Sequence, residues 1–377
     1  MGGIEKKLPG DYNFSMKKHE MQYRKDVAFI NREKDLAFLK GCLNERPESI
    51  LFIHGPKSSG KTTLLYKFLE QTQEHQKLAV KFLDLRETFT NVYEDFLKSF
   101  FRVETRGEKK ESLTSNINIG FFKIDASVER KILEKRADPF KVMKAELLDL
   151  TRNGIKPVLI IDELQALDKI YLNDDKERQL ITALFNFFVA MTKQAHLAHI
   201  IIASSDGYFL NTVYNDSKLK KCSRFYKVDY LTKEDIMEWL LNLDKYSKIK
   251  DYTLTSGNAD KIWETVGGSM WEIQEILARL FDHPLDEVLT AYKKEMRGII
   301  AHYTEFDKNK VQVLEVVNKK EIVSGTDFET LPIEGPELKE LLRDMVKNNI
   351  LYFDPTLAVY YPQGKSYQWG IRLYFEQ

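Results

Sequence analysis

Cysteine and long apolar runs are both scarce in this chain. Its 377 residues include two cysteines, Cys42 and Cys222, which excludes a disulfide framework and a zinc site built on cysteine. No apolar run approaches the roughly 18 residues that a membrane-spanning helix needs. The first ten residues lack the apolar core of a signal peptide, and Lys6 stands where a myristoylation signal has serine or threonine. We therefore expect a cytoplasmic protein without a membrane partner.

Net charge is absent as well, because 57 lysines and arginines balance 57 aspartates and glutamates. With this balance, the chain lacks the overall basic character of many proteins that bind nucleic acid or anionic membranes. The seven histidines show no His-x-x-x-His or His/Cys spacing of a metal site, and the aromatic residues are too scattered to form a base-stacking platform. What remains is a globular composition, with enough length for two or three domains.

Short apolar runs alternate with amphipathic segments over residues 29–231. Runs of this kind predict buried strands, and the segments between them predict helices. The four clearest strands are 49–54, 78–84, 157–162 and 199–204. This alternation predicts an α/β core domain built on a parallel, doubly wound sheet with right-handed crossovers.

Two regions in the first half of the chain do not follow the alternation. Residues 1–28 are polar, and we predict that they form an N-terminal extension. Residues 102–138 are charge-rich and interrupt the core pattern, which predicts an insertion. Apolar residues partly alternate over 117–124, so we predict a β-hairpin there.

The pattern changes again after residue 231. Residues 232–300 have helical spacing, and Thr232 has the character of an N-cap, which predicts a helical lid domain. Residues 301–377 predict two helices followed by a hairpin of strands 350–353 and 367–375. Helices followed by a terminal hairpin are typical of a winged-helix domain.

A glycine-rich segment joins the first predicted strand to the helix after it. In such loops backbone N–H groups point at phosphate oxygens, and the helix N-terminus adds positive charge. In such loops a lysine at the start of the helix reaches the β- and γ-phosphates of the nucleotide, and the threonine that follows it binds Mg²⁺ through its hydroxyl. The segment matches G-x-x-x-x-G-K-[ST] in full, with the residues Gly55, Pro56, Lys57, Ser58, Ser59, Gly60, Lys61 and Thr62. We therefore predict a site for ATP and Mg²⁺, and we include the next residue, Thr63, in it.

Two carboxylates, Asp162 and Glu163, follow the apolar strand 157–162. Ligands of open α/β sheets bind at the carboxyl ends of the strands, so these side chains should face the phosphates. Asp162 is the candidate for holding Mg²⁺ through water, and Glu163 is the candidate general base that orients the attacking water. A pair of acidic residues at the end of a strand can also be a simple solvent-exposed strand end. Together with the glycine-rich loop upstream, however, the pair predicts ATP hydrolysis.

Two further polar positions have weaker signals. Ser204 ends the strand 199–204 and is a candidate sensor of the γ-phosphate, although a simple turn after a core strand would look the same. Arg224 lies in a basic stretch and is a candidate for contacting phosphate, within its own chain or from a neighbouring subunit. A solvated basic loop is the alternative.

Together these residues resemble the archaeal ATPase family within the STAND class of signalling NTPases, which is related to AAA+ proteins. The resemblance implies that Arg32 lies near the nucleotide, that Ser204 is a sensor and that a C-terminal winged helix is present. This chain departs from the family pattern in two places, because Ser223 replaces a glycine before Arg224 and Ser269 to Trp271 lack a proline. The matching segments are 29–36, 55–63, 159–165, 204–205 and 267–268.

Three functions are compatible with these motifs. The first is an ATP-driven switch, in which ATP binding brings core, lid and winged helix together and hydrolysis releases them. The second is a DNA-handling ATPase that places its winged helix on duplex DNA. The third is a nucleotide-dependent binding module with vestigial catalysis.

The charge of the last 77 residues separates the first two functions. Residues 301–377 contain nine basic and twelve acidic residues, and the candidate recognition helix 337–347 has three of each. A helix that reads a DNA groove usually has a basic excess. We therefore favour a winged helix that contacts protein, either an unidentified partner or another copy of the chain, over one that contacts duplex DNA.

Overall fold

The computed structural model describes residues 29–72, 77–87, 90–103, 117–119, 122–124, 126–134, 136–172, 176–246 and 253–376. The predicted N-terminal extension, 1–28, and the middle of the predicted insertion, 104–116, lie outside these ranges. Within them, no helix combines the length and the apolar character needed to cross a bilayer.

A parallel sheet forms the centre of the first half of the chain. Among the described residues its order is β4-β2-β6-β7-β1-β8, and every neighbouring pair is parallel. The strands are β1 (Ile50–His54), β2 (Leu78–Asp84), β4 (Ile117–Ile119), β6 (Lys156–Asp162), β7 (His199–Ser204) and β8 (Ser223–Lys227). The prediction of a parallel α/β sheet is confirmed.

Helices cover both faces of this sheet, as the apolar strands require. In β1, Ile50 and Phe52 pack into one buried cluster, and Leu51 and Ile53 pack into another on the opposite face. Alternation of side chains along a strand produces this division. The helices are α1 (Glu33–Asn44), α2 (Lys61–Thr72), α3 (Tyr93–Phe100), α4 (Ala126–Leu133), α5 (Pro139–Arg152), α6 (Leu180–Val189) and α7 (Gly207–Asn215).

The hairpin predicted for 117–124 is wrong. Strand β4 extends the main sheet beside β2, whereas β5 (Lys123–Ile124) pairs in parallel with β3 (Arg102–Val103). Between them Phe122 is fully buried and stacks on Phe100, with 4.9 Å between ring centroids. Burial of this ring in the core separates the two strands.

Helices dominate after residue 231. Thr232 is the N-cap of the first of them, because its side chain accepts a hydrogen bond from the Asp235 N–H. These helices bury a cluster of their own around Trp239. They are α8 (Lys233–Leu241), α9 (Leu243–Tyr246), α10 (Ser256–Val266), α11 (Met270–Arg279) and α12 (Leu285–Thr304). Helix α12 runs past residue 300, where we predicted one domain to end.

The last part of the chain has the order of a winged helix. Its elements are α13 (Lys308–Lys319), β9 (Val323–Ser324), α14 (Gly335–Lys347), β10 (Leu351–Asp354), β11 (Val359–Pro362) and α15 (Lys365–Phe375). The antiparallel hairpin β10–β11, which we call the wing, pairs with β9. The strand predicted for 367–375 is wrong, because this segment is helix α15.

Helix α15 forms because it packs along α12. Gly370 makes the close approach, since a Cβ there would lie 2.8 Å from the Met296 carbonyl oxygen. The aromatic side chains that resemble a strand pattern in 367–375 are therefore distributed around a helix. Trp369, for example, donates from its indole N–H to the Glu264 carbonyl oxygen at 2.7 Å.

Candidate nucleotide-binding site

The carboxyl ends of β1, β2, β6 and β7 meet at one edge of the central sheet. The loop 55–60 leaves β1 at this edge and enters α2 at Lys61. Gly55 has φ 153°, and a Cβ on it would lie 2.0 Å from the Val228 carbonyl oxygen. Gly60 has φ 90°, and Ser58 also has a positive φ, 63°. The glycines are therefore required by the path of the loop.

Lys61 is buried, and its ammonium group points back into the loop. It donates to the carbonyl oxygens of Gly55 at 3.0 Å and Pro56 at 2.8 Å. Burial lowers the pKa of Lys61 to about 8, although the charges of Glu163 and Asp162 act in the opposite direction. A buried ammonium in a loop of this shape is suited to a multiply charged anion.

Thr62 and Asp162 lie together as the two predicted metal-binding residues. The Thr62 hydroxyl donates to Asp162 Oδ2 at 2.6 Å. Asp162 is 1% exposed, and its Oδ1 has no hydrogen-bond partner among the described residues. Burial raises the pKa of Asp162, while Arg86 and Thr62 lower it. A hydroxyl beside a half-satisfied carboxylate fits Mg²⁺, which is usually held by one or two carboxylates plus substrate phosphates.

Glu163 follows β6 with a strained backbone, φ 62° in the left-handed region. Such strain is frequent at functional sites. Gln165 Nε2 donates to its carboxylate, and the Ser205 hydroxyl donates to the other oxygen at 3.3 Å. The Ser204 hydroxyl donates to Gln165 Oε1 at 2.9 Å. Ser204 thus contacts Glu163 through Gln165. Burial, followed by the Asp162 charge, raises the pKa of Glu163.

Arg86 is a site residue that sequence reasoning missed. One of its terminal nitrogens, Nη2, lies 2.7 Å from Asp162 Oδ2 and 3.0 Å from Thr62 Oγ1. The same side chain contacts both carboxylate oxygens of Asp84. Burial opposes its charge, but the hydrogen bond to Asp84 and the Asp162 charge raise the pKa of Arg86. The sequence signal was slight, an arginine two residues after an aspartate that ends a strand.

Arg32 connects the loop to the segment between β8 and α8. Its Nη2 donates to the carbonyl oxygens of Ser59 at 2.8 Å and Asp229 at 2.7 Å. Its Nη1 pairs with Asp35 at 3.1 Å. In this arrangement Arg32 supports the loop from outside, and its role in nucleotide binding stays a prediction.

Arg224 lies at the opposite edge of the sheet. It is in β8, which the sequence did not predict, and it is in register with Leu51 near the start of β1. There it pairs with Glu45 at 3.2 Å and lies over the Phe38 ring. The predicted contact between Arg224 and phosphates of its own chain is therefore wrong, because three strand residues, 52–54, separate its partner Leu51 from the loop. The contact from a neighbouring subunit stays a prediction.

The wing docks beside the phosphate loop. Gln363 accepts a hydrogen bond from the Lys57 N–H at 2.5 Å, in the side-chain orientation that satisfies both ends of its amide. The Tyr230 hydroxyl lies 2.8 Å from the Lys57 carbonyl oxygen and 3.0 Å from that of Gln363. His54, which ends β1, lies 3.1 Å from the Tyr352 hydroxyl.

An ion pair between the half-buried Lys227 and a buried carboxylate fixes the wing to β8. Lys227 Nζ lies 3.1 Å from Asp354 Oδ2, and the Asp354 side chain is fully buried. Lys227 also donates to the Tyr361 hydroxyl at 2.8 Å. Phe353 stacks on Tyr208 of α7, with 5.1 Å between ring centroids. The wing hairpin is thus packed on the core at the edge that carries the phosphate loop.

Comparison with known proteins places these features in a family. A family model described as an ATPase domain predominantly from Archaea matches residues 29–276. One uncharacterised ATP-binding protein of Methanocaldococcus jannaschii is 31% identical over 366 residues, covering 92% of this chain and 94% of the relative. A second from the same organism is 30% identical over 356 residues, covering 90% and 97%.

Solved structures with a similar fold include two proteins of Aeropyrum pernix. The ORC2 protein in its ADPNP–ADP complexes has a TM-score of 0.42 at 11% identity, covering 99% of this chain and 98% of that one. The ORC1 protein in complex with DNA has a TM-score of 0.44 at 12% identity, covering 93% and 94%.

Proposed function

The chain belongs to the family of ATPase domains found predominantly in Archaea, and from that premise we propose that it hydrolyses ATP with Mg²⁺ and acts as a nucleotide-dependent switch. The phosphate loop and Lys61 bind the triphosphate. Thr62 and Asp162 hold Mg²⁺, which neutralises charge on the phosphates when it is bound. Membership of the STAND class stays part of this proposal.

Glu163 is the residue we propose as general base. Because its pKa is raised, the Glu163 carboxylate is a stronger base than an exposed glutamate, and this favours proton transfer from water. Gln165 and Ser205 fix its two oxygens, so the carboxylate has a defined orientation. Ser204 orients Gln165. A phosphate that displaces the Ser204 hydroxyl would therefore change the orientation of Gln165 and, through it, of the Glu163 carboxylate.

The observation that carries the switch is the contact between Gln363, the residue directly after the wing, and the Lys57 N–H of the phosphate loop. The core and the wing region are already in contact through Lys57, Tyr230 and Gln363. One N–H group cannot serve both this glutamine and a phosphate oxygen at full strength. We propose that nucleotide binding competes with wing docking, the reverse of the order that the sequence alone led us to expect.

Reciprocal coupling tests this proposal. If the contact between Gln363 and Lys57 weakens nucleotide binding, then bound nucleotide must weaken that contact by the same factor. We expect Gln363→Leu to bind ATP more tightly than the wild type, by about fivefold or more, the lower end of typical coupling. Gln368→Leu is the matched control, since Gln368 contacts Glu321 at the surface. Calorimetry gives the affinities.

Hydrogen exchange supplies the second half of the test. Adding Mg²⁺ and ATP to the wild type should increase exchange of backbone amides in β10 and β11. Unchanged exchange in the wing, together with an unchanged affinity of Gln363→Leu, contradicts the switch. Release of phosphate by the wild type, and its loss in Glu163→Gln, tests hydrolysis separately.

The DNA-handling alternative is less favoured for two reasons. The wing packs on the core, and the charges of α14 balance, with Arg343 paired to Glu340 at 3.1 Å. A protein that makes 6–10 phosphate contacts loses about 10³–10⁵ in affinity between 50 and 200 mM salt. Titrating the full chain with labelled duplex at these two salt concentrations decides the question, since sub-micromolar binding with that salt dependence would favour the DNA reading.

A further inference from the structure

Arg86 makes contact with the two side chains that we propose as metal ligands. Its Nη2 nitrogen lies 2.7 Å from Asp162 Oδ2 and 3.0 Å from Thr62 Oγ1. A Mg²⁺ ion bound to Thr62 lies about 2.0–2.1 Å from its hydroxyl oxygen, and the water through which Asp162 holds the ion takes a hydrogen-bonding position on the carboxylate. The guanidinium nitrogen and the metal therefore cannot occupy this position together.

Asp84 determines where the guanidinium is held. Its carboxylate accepts from Arg86 Nε at 3.1 Å, from Nη2 at 2.9 Å and from the Arg86 backbone N–H at 3.0 Å. Asp84 is in register with Asp162 across β2 and β6, and its side chain is 4% exposed. These contacts keep Arg86 beside the site even when it no longer touches Asp162.

The Asp162 carboxylate shows that Arg86 does not use all of its binding capacity. Oδ2 accepts from both Arg86 and Thr62, whereas the buried Oδ1 has no hydrogen-bond partner in the described part of the chain. Buried carboxylate oxygens are normally paired or bound to a metal. The unpaired oxygen points to a second ligand that arrives at Asp162 under some condition.

We propose that Arg86 is a built-in competitor for the divalent cation, which makes metal binding at Thr62 and Asp162 conditional on a nucleotide polyphosphate. This inference rests on the proposed function. A metal without phosphates meets a like charge that Asp84 holds in place, and the repulsion excludes it. Phosphate oxygens arriving with the metal supply the negative charge that lets the guanidinium leave Asp162.

Binding of Mn²⁺ alone tests the inference. The full chain without nucleotide is titrated with Mn²⁺, and the free ion is measured by electron paramagnetic resonance. We expect no saturable site in the wild type. Arg86→Ala should show a saturable Mn²⁺ site that is at least about tenfold tighter than any binding by the wild type, the scale of one lost charge-assisted hydrogen bond. Adding Asp162→Asn to Arg86→Ala should abolish the gain, which locates the metal.

Arg224→Ala is the matched control, because it removes an arginine from the other edge of the same sheet. Removing Arg86 leaves Asp84 and Asp162 facing each other, so Arg86→Gln serves as a second variant that keeps a hydrogen-bond donor without the charge. Circular dichroism verifies that each variant is folded. A folded Arg86→Ala or Arg86→Gln variant that binds Mn²⁺ no better than the wild type overturns the proposal.

Nucleotide binding is measured in parallel so that the two proposals fail separately. A wild type that binds neither ATP nor ADP with Mg²⁺ contradicts the proposed function. The comparison of Mn²⁺ binding between wild type and Arg86 variants does not depend on that result. We also expect ADP affinity to depend less on Mg²⁺ concentration in Arg86→Ala than in the wild type, and equal dependence counts against the competitor.

Discussion

The two edges of the central sheet carry similar charged side chains in different surroundings. At the carboxyl edge, Arg86 pairs with Asp84 and Asp162, whose side chains are 4% and 1% exposed. At the amino edge, Arg224 pairs with Glu45, and these side chains are 45% and 63% exposed. An exposed pair is screened by water and contributes little, whereas a buried carboxylate needs its partner. Burial therefore distinguishes the site from the surface when residue types do not.

Strand β8 shows the same contrast within five residues. Arg224 near its start makes a surface pair, and Lys227 at its end makes a pair with the fully buried Asp354 of the wing. The carboxyl edge thus holds both the phosphate loop and the docking contact of the wing. Substitutions at matched positions on the two edges turn this contrast into measurable differences.

The largest difference concerns two glutamates. We expect Glu163→Gln to bind ATP with Mg²⁺ and to hydrolyse it about 10²-fold more slowly or worse, because it removes the general base. Glu45→Gln, at the other edge, should leave turnover unchanged. Steady-state phosphate release measures both variants. Equal rates in Glu163→Gln and wild type would mean that the carboxylate is only a strand end and that catalysis is vestigial.

The next difference concerns the two basic residues of β8. Lys227→Met leaves Asp354 buried without its cation, and we expect a loss of about 3 kcal/mol in the free energy of unfolding. Arg224→Met should lose less than about 1 kcal/mol, because its pair is exposed. Urea denaturation monitored by circular dichroism gives both values. Similar losses in the two variants would remove the contrast between the edges.

Two histidines give a smaller, pH-dependent difference. Burial lowers the pKa of His54, at the carboxyl edge, to about 4. Because its unfolded-state pKa is near 6.5, the unfolded chain takes up the proton first, and stability falls as pH drops from 6.5 towards 4. At pH 5 this amounts to about 2 kcal/mol. His54→Gln should remove this part of the pH dependence.

His199, at the amino edge, is the comparison for His54. Burial lowers its pKa to about 4 as well, but its side chain is only half-buried, so His199→Gln should remove less of the pH dependence. Unfolding free energies at pH 7 and pH 5 provide the comparison. A larger effect from His199→Gln would show that the carboxyl edge is more hydrated than its burial indicates.

The smallest expected effect belongs to Arg224→Ala. We expect nucleotide affinity and turnover within about twofold of the wild type, or about 0.4 kcal/mol, because Arg224 does not reach the phosphate loop of its own chain. Turnover measured over a range of protein concentrations tests the contact from a neighbouring subunit. A defect that appears only at high concentration would establish that contact.

Contiguous signals in the sequence predicted the centre of the site. The phosphate loop and the pair Asp162–Glu163 are each continuous stretches, so one segment carries the whole pattern. Arg86 gave no such signal, because its role depends on three elements that meet in space: β2, β6 and the start of α2. Gln363 was missed for the same reason, since nothing near it in the chain relates it to Lys57.

Fold prediction succeeded where burial was uniform along a segment. Strands β1, β6 and β7 have continuous apolar centres, 50–53, 157–161 and 200–203, so their runs were unambiguous. Strand β8 was missed because Ser223–Lys227 is half-exposed at the sheet edge and reads as a basic loop. Helix α15 was assigned as a strand because its aromatic residues have strand propensity, which packing against α12 overrides.

Helix α12 gives the molecule a lever. Its 20 residues correspond to about 30 Å of rigid rod. The first part, with Tyr292 and Met296, is buried in the cluster of the helical segment, and Ile300 near its end is buried with the wing. One helix therefore connects the cluster of the helical segment to the wing. If the wing rotates slightly as it leaves the phosphate loop, α12 rotates with it and its far end moves by a larger distance. A displacement of atomic size at Lys57 then becomes a movement of an outer surface.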